Sequence, residues 1–427
     1  MVKTTVKVRR KWSIRMRVVR LHLLIFGSLV FPLSVECMTL ASDLKNVVKD
    51  LYGGDGILLA PPPGPINHAP HFLAQSLSGL DDLSTGLFSG VGFLSFNSVV
   101  TGFMLDLETG EPVRIADSLG PLLGERATTL GKGRVNIGFT YTNVRFTDFE
   151  GDDLDDLTLT LNHRDANGDG ILGPAPGPFD FELDQVRVDI DLEIEQDIYA
   201  TFANYGLTSN WDVGIVVPII HVRARADAVA TLVDNSPTND VHFFDPLAPM
   251  GDPSTDIRNS TVSGSKTGIG DVVFRTKYNL VRGAEKIPDL AIGGQIILPT
   301  GDADNLFGTG ETRLQSILIA SKSFGKITPH VNVGYEWAPG NSELHNLRYI
   351  VGLDAKVLPR VTAAFDFLGR WEPSGDGIGD ETRDIAIGTR IELADNTLLT
   401  GNVQLPLNID QGLRAEVIWT IGIEHTF

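Results

Sequence analysis

The chain has 427 residues and carries 54 acidic against 35 basic side chains, a formal net charge of −19. Phosphate backbones are held by clustered Lys and Arg, so an acid excess of this size excludes a nucleic-acid partner. The one cysteine, Cys37, leaves no intramolecular disulfide to form.

In chain order, the first twenty residues hold Lys3, Lys7, Arg9, Arg10, Lys11, Arg15, Arg17 and Arg20 with no acid, followed by the apolar run Leu21 to Val35. That run is interrupted by Gly27 and Pro32 and is shorter than the roughly 20 residues a membrane-spanning helix needs. Residues 1–41 therefore read as a secretory signal peptide, and Thr39-Leu40-Ala41 places the mature start near Ser42. Glu36 stands where a lipobox needs a small residue, so Cys37 is not expected to be lipidated. Removal of eight basic residues and Glu36 takes the formal charge from −19 to −26.

Residues 42–133 follow no sheet pattern. Leu44, Val47, Val48 and Leu51 fall at helical spacing within Ser42 to Tyr52, and Pro61-Pro62-Pro63-Gly64-Pro65 then breaks any regular element. The Gly-, Phe- and Val-rich stretch Gly86 to Leu107 is a candidate hairpin.

From residue 134 to 427 the chain becomes a series of alternating segments. Val186 to Phe202 is the clearest: Val186, Val188, Ile190, Leu192 and Ile194 share one parity, and Arg187, Asp189, Asp191, Glu193 and Glu195 the other. It is longer than the roughly 9 to 11 residues of a tilted transmembrane strand. Eleven further segments resemble it: 135–146, 211–228, 270–281, 290–299, 312–323, 328–337, 347–357, 361–371, 384–393, 398–407 and 413–427. Without an apolar helix, a membrane location requires a closed barrel, so the fold class is all-β, an antiparallel transmembrane β-barrel of 12 strands. The alternative is 14, with Gly86 to Leu107 supplying two more. Links after every second segment are tight, as in Leu358-Pro359-Arg360 and Ala394-Asp395-Asn396, whereas 147–183 and 229–267 are long and polar. Short periplasmic turns and long outer loops are the pattern of bacterial outer-membrane barrels. Trp337, Tyr349 and Trp371 then fall near the outer ends of their segments, and Trp211, Tyr278 and Phe427 near the inner ends, as two aromatic girdles. The apolar parity of the third segment shifts at Pro218, which predicts a β-bulge.

The parity opposite the apolar one would face the lumen. It holds Arg187, Asp191, Arg275, Lys277, Arg313, Glu336, Arg348, Lys356, Asp366, Arg370, Arg390, Arg414 and Glu416, read either as the lining of a wet pore or as ion pairs filling a barrel. Asp165-Ala166-Asn167-Gly168-Asp169-Gly170 matches the start of a calcium loop, with Asp165, Asn167 and Asp169 as metal ligands. Pro176 stands where the bidentate carboxylate belongs, so a plain Asp/Asn/Gly turn is the competing reading. Calcium aside, no cofactor is expected.

Four stretches carry a family likeness: TLGKGRVNIGFTYTNVRF (129–146), NYGLTSNWDVGIVVPII (204–220), TGIGDVVFRTKYNLV (267–281) and IILPTGDADNLFGTG (296–310), together with the terminal strand ending in Phe427. With these, the chain resembles the outer-membrane transporter family associated with meta-pathway phenol degradation, related in architecture to fatty-acid and hydrocarbon channels. The resemblance implies passage of small aromatic or hydrophobic solutes, outer-membrane lipid and the barrel assembly machinery as partners, and an N-terminal segment, 42–133, that plugs the lumen. No G-x-S-x-G, H-E-x-x-H or phosphate-loop motif is present, and an enzyme is not expected. A phospholipase-like barrel and a surface adhesin using the long loops stay open as alternatives.

Overall fold

The computed structural model describes residues 117–163, 180–235, 242–245, 256–282, 287–372 and 381–427, preceded by residues 40, 51, 58–59, 66–67, 103–105 and 112–114. Fourteen strands carry the architecture: β1 Val135–Phe149, β2 Leu157–Asn162, β3 Gln185–Thr208, β4 Trp211–Val233, β5 Ile257–Ile269, β6 Val272–Val281, β7 Asp289–Leu298, β8 Arg313–Ser321, β9 Ile327–Trp337, β10 Asn346–Leu358, β11 Val361–Trp371, β12 Glu381–Ala394, β13 Thr397–Pro406 and β14 Leu413–Thr426. Each of β6 to β14 pairs antiparallel with the next, β14 returns to β1, β1 pairs β3, β3 pairs β4, and β4 closes the ring on β6. Leaving out β2 and β5, which stand outside the ring, that is a closed barrel of twelve strands. Of the stretch Gly86 to Leu107, only Phe103–Leu105 is among the described residues, and there it pairs with Pro112–Arg114 and with no strand of the ring; the rest of that stretch lies outside the described residues.

β3 and β4, at 24 and 23 residues, outrun the bilayer. Beyond the ring they are flanked by β2, paired to β3 from Leu157↔Ile190 to Asn162↔Gln185, and by β5, paired to β4 from Ile269↔Ile219 to Ile257↔Thr231. These strands form a sheet that projects past the barrel at its long-loop end. Part of what reads as the loop 229–267 is thus β5 and the end of β4. A loop assignment follows naturally from Ile257–Ile269, because its outward residues are Asn259, Thr261, Ser263, Ser265 and Thr267, with no apolar alternation to mark a strand.

No bulge occurs at Pro218. The ladder runs unbroken from Gln185↔Val233 to Gly206↔Asp212, with Ala200 opposite Pro218, and even-numbered residues of β3 and β4 face inward throughout. The environment changes instead of the register. Tyr141, Tyr199, Ile219 and Ile269 make one outward row across β1, β3, β4 and β5, and the next row up is Asn143, Asp197, His221 and Thr267. Below the boundary the outward side chains meet hydrocarbon; above it they meet water. Asn143 donates to Asp197 at 2.9 Å and Arg223 pairs with Asp197 at 3.0 Å, which satisfies the charges of that upper row.

The inward face inverts in the same place. Above the boundary Val186, Val188, Ile190, Leu192, Ile194, Val222, Ala224, Ala226 and Ala228 are buried in one apolar cluster with Phe146, Phe149, Leu306 and Phe307. Leu40 and Leu51 join this cluster, and the Leu40 N–H donates to Asn305 Oδ1 at 3.2 Å. Cleavage after Ala41 would remove Leu40, so this packing and a mature start at Ser42 are alternatives.

Candidate functional site: a constricted lumen

The ring strands present apolar side chains outward and, apart from the apolar stretches of β3 and β4, mostly polar ones inward. Ile292, Ile296, Leu318, Val331, Val351, Phe365, Ile387 and Ile421 are exposed on the outer surface, with Trp211, Tyr278 and Phe427 toward the short-turn end and Trp337, Trp371 and Trp419 toward the other. Such a belt between aromatic rows meets lipid.

Residues 117–133 lie inside the short-turn half of this ring, held chiefly by wall side chains. Backbone N–H groups donate inward to outward along the segment: Leu119 to Thr362 Oγ1 at 2.8 Å, Leu123 and Gly124 to Asp366 Oδ2 at 2.7 and 2.9 Å, Glu125 to Asn332 Oδ1 at 2.6 Å, Ala127 to Ser321 Oγ at 3.1 Å and Leu130 to Asp212 Oδ2 at 2.9 Å. Its carbonyls accept from the wall in turn, Glu125 O from Asn332 Nδ2 and Ala127 O from Asn279 Nδ2 at 2.8 and 2.9 Å. A non-repetitive strand of chain buried in a barrel needs such partners, because each orphaned peptide group is costly.

Charge pairs fix the middle of the segment. Arg126, fully buried, bonds to Asp354 and to Ser118 Oγ at 2.7 Å. Glu125 pairs with Arg275 and, at 3.3 Å, with Lys277. Burial drives the Glu125 carboxyl upward, but these two cations outweigh it and hold it below the usual carboxylate range. His330 Nε2 meets Asp366 Oδ1 at 2.8 Å and completes the support of the acceptor that takes Leu123 and Gly124. At the segment's end the chain passes so close to β3 that a Cβ on Gly206 would sit 1.9 Å from the Gly131 carbonyl oxygen, which only glycine allows.

The long-loop half is lined by an ion-pair ladder across neighbouring strands. Asp271 lies 3.5 Å from Arg313, Arg313 is 2.9 Å from Glu336, and Glu336 is 3.5 Å from Arg348. Arg370 pairs with Glu372 and Arg414 with Asp384 further round. The opposite wall, from Ile198, Ala200 and Phe202 on β3 to Val216 and Ile220 on β4, is apolar.

Of the residues expected in the lumen, Arg275, Lys277, Arg313, Glu336, Arg348, Lys356, Asp366, Arg370, Arg390 and Arg414 project into the ring; Lys356 lies 3.9 Å from Asp117, and Arg390 pairs with Glu424 at 3.2 Å. Three do not. Arg187 and Asp191 stand on the outward, watery face of the projecting sheet, where Arg187 pairs with Asp189 at 2.8 Å. There the apolar parity faces inward and the charged parity outward, the reverse of a lipid-facing strand. Glu416 falls in a bulge of β14 between Ala415↔Phe146 and Ile418↔Val144 and is exposed. Asp165, Asn167 and Asp169 lie outside the described residues. His330, which reads from the sequence as a pore-facing or loop residue, does face the lumen, whereas Glu125, Arg126, Asp212, Asn279, Asn332 and Asp354 carry no such signal. The four on strands share the inward parity and are within reach of it, but nothing marks Glu125 and Arg126 as a lumen segment before the wall is known.

Fold and lumen together define a transmembrane β-barrel with an internal constriction, the class found in outer membranes. The chain belongs to the family described as "Putative MetA-pathway of phenol degradation", whose model matches residues 163–416. It is similar to the crystal structure of an outer membrane channel from Pseudomonas putida F1, at 12% identity, covering 70% of this chain and 98% of that one, with a TM-score of 0.43. It is also similar to the P. putida toluene transporter TodX, at 7% identity over 69% and 89% of the two chains with a TM-score of 0.32. A Pseudomonas aeruginosa FadL homologue gives 9% identity, coverages of 69% and 89%, and a TM-score of 0.31. Comparison with curated proteins gives no match.

Proposed function

We propose that this protein is a passive outer-membrane channel for small solutes, apolar or aromatic in preference to sugars, and that residues 117–133 set its bore. The observation that carries the reading is a closed ring with a polar, ion-paired interior crossed by a wall-anchored segment. A twelve-strand ring is wider than the eight-strand barrels that side chains fill and narrower than the open 16- to 18-strand porins, so a bound segment leaves room for molecules of modest size only. Its short-turn end faces the periplasm and the projecting sheet faces outside, following the loop asymmetry of this class. Outer-membrane lipid meets the apolar belt, and the terminal strand β14 is the element offered to the assembly machinery. The family's description, phenol degradation, supports aromatic cargo. A channel reading leaves no catalytic role to assign.

Proteoliposomes holding the full mature chain test it with a panel of phenol, a short fatty acid and a trisaccharide. Influx of phenol well above protein-free vesicles, with the trisaccharide excluded, is the expected result; a barrel that is heat-modifiable on gels yet passes none of the three would remove the channel reading and favour an enzyme or adhesin.

A further inference from the structure

The segment 117–133 meets the two sides of the ring differently. Leu119 packs on Leu398 of β13, and Leu122 and Leu123 pack on Ala364 and Leu368 of β11 and Ala386 of β12. Toward β4, β6 and β7 a cavity of about 30 Å³ separates Glu125 and Leu130 of the segment from Asp212, Arg275, Lys277 and Gly293 of the wall. A polar space of this size holds water. Asp212 calls for it: the side chain is buried, its Oδ2 takes the Leu130 N–H, and no hydrogen bond among the described residues reaches its Oδ1. Gly293 keeps the space open. It faces the lumen in mid-strand, opposite Lys277 and Ile317, where a glycine weakens a strand. Neither packing nor backbone demands it, because a Cβ there would sit 3.6 Å from Ile317 Cβ and from the Thr276 carbonyl oxygen, an ordinary contact, and its φ lies outside the left-handed region.

We infer that solutes pass the constriction on this side, between Glu125 and β7, and that Gly293 is the residue that sets the size they can have. The inference deepens the channel reading above and rests on it. At rest the cavity holds water but no ring, since benzene needs a space of about 150 Å³, so the segment yields as a solute passes. It yields on the polar side. There its ties are the pairs of Glu125 with Arg275 and Lys277, which water or a solute hydroxyl can replace, whereas the leucine contacts on β11 to β13 have no substitute in water and hold the far side in place. A side chain at position 293 would fill the path without touching those ties.

The test replaces Gly293 by Ala, Leu and Phe and measures phenol influx into proteoliposomes holding the full mature chain. Influx should fall in steps with side-chain size, slightly for Gly293→Ala and about tenfold for Gly293→Phe. Gly401→Phe, on the outer face of β13 where a Cβ meets no atom within 4 Å, should match the wild type. A second arm separates closure of the path from a folding defect. Gly293→Cys, in a Cys37→Ser background, is modified with a methanethiosulfonate reagent after the barrel has formed; the adduct should block influx, and its removal with dithiothreitol should restore it. Wild-type influx from both Gly293→Phe and the modified cysteine variant sinks the path and spares the channel, as does a fall in Gly293→Phe that the modified cysteine does not reproduce. No phenol influx through the wild type sinks both.

Discussion

Arg126 and Asp354 illustrate what a buried ion pair does in this barrel. Each is out of water, so their attraction must offset two desolvation penalties, and the pair specifies where the segment sits more than it adds to stability. Removing one partner is a different matter. Arg126→Ala would leave Asp354 buried without its counter-charge and should destabilise the folded barrel by about 3–5 kcal/mol, read as a lower thermal midpoint in detergent. Replacing both, as Arg126→Met with Asp354→Leu, should recover most of that loss. Glu125 makes a pH-dependent tie of the opposite kind. Its carboxyl titrates below its unfolded value, so the contribution is complete above about pH 4.3 and disappears as pH falls through the lower folded value. The difference in thermal midpoint between wild type and Glu125→Gln should therefore stay constant from pH 7 to about pH 5 and shrink below about pH 4. A difference that vanishes near pH 6 would contradict the assignment of Glu125 to Arg275 and Lys277.

Individual strands show how far a pattern of alternation can be read. Short ring strands such as β9 and β11 are legible to within a residue, because each crosses one slab of hydrocarbon with one wet face behind it. β3 and β4 alternate just as clearly, yet alternation reports only that two faces differ. Above Tyr199 and Ile219 the solvent outside becomes water and the space inside becomes an apolar core, so the chemical meaning of each parity inverts while the ladder continues. That inversion is why alternation alone places Arg187 and Asp191 in the lumen and predicts a bulge at Pro218. β5 was illegible for a simpler reason, since its outward Ser and Thr residues hide a strand from any hydropathy pattern. Paired substitutions separate the two regimes. Leu318→Lys, on the lipid face of β8, should cost about 2–4 kcal/mol for a charge near the bilayer midplane, whereas Glu193→Lys on β3 should change stability by less than about 0.5 kcal/mol. Refolding into vesicles over a urea gradient measures both, and equal penalties would place β3 wholly in lipid.

At the scale of the whole molecule, twelve strands enclose a space too wide for side chains alone, and the chain places part of itself there. The wall accepts that segment through paired polar side chains spread over β4, β6, β8, β9, β10 and β11, so the constriction is distributed around half the ring. Loosening a single contact should have little effect on the bore, and loosening several together should have a large one. The central claim is thus that residues 117–133 narrow an otherwise open barrel. Single-channel conductance in planar bilayers tests it most directly, comparing the mature chain with Glu125→Gln/Arg126→Gln/Asp366→Asn. The account predicts a small, steady conductance for the wild type and one several-fold larger, with passage of larger solutes, for the triple variant. Equal conductances from two folded barrels, or none from either, would contradict it.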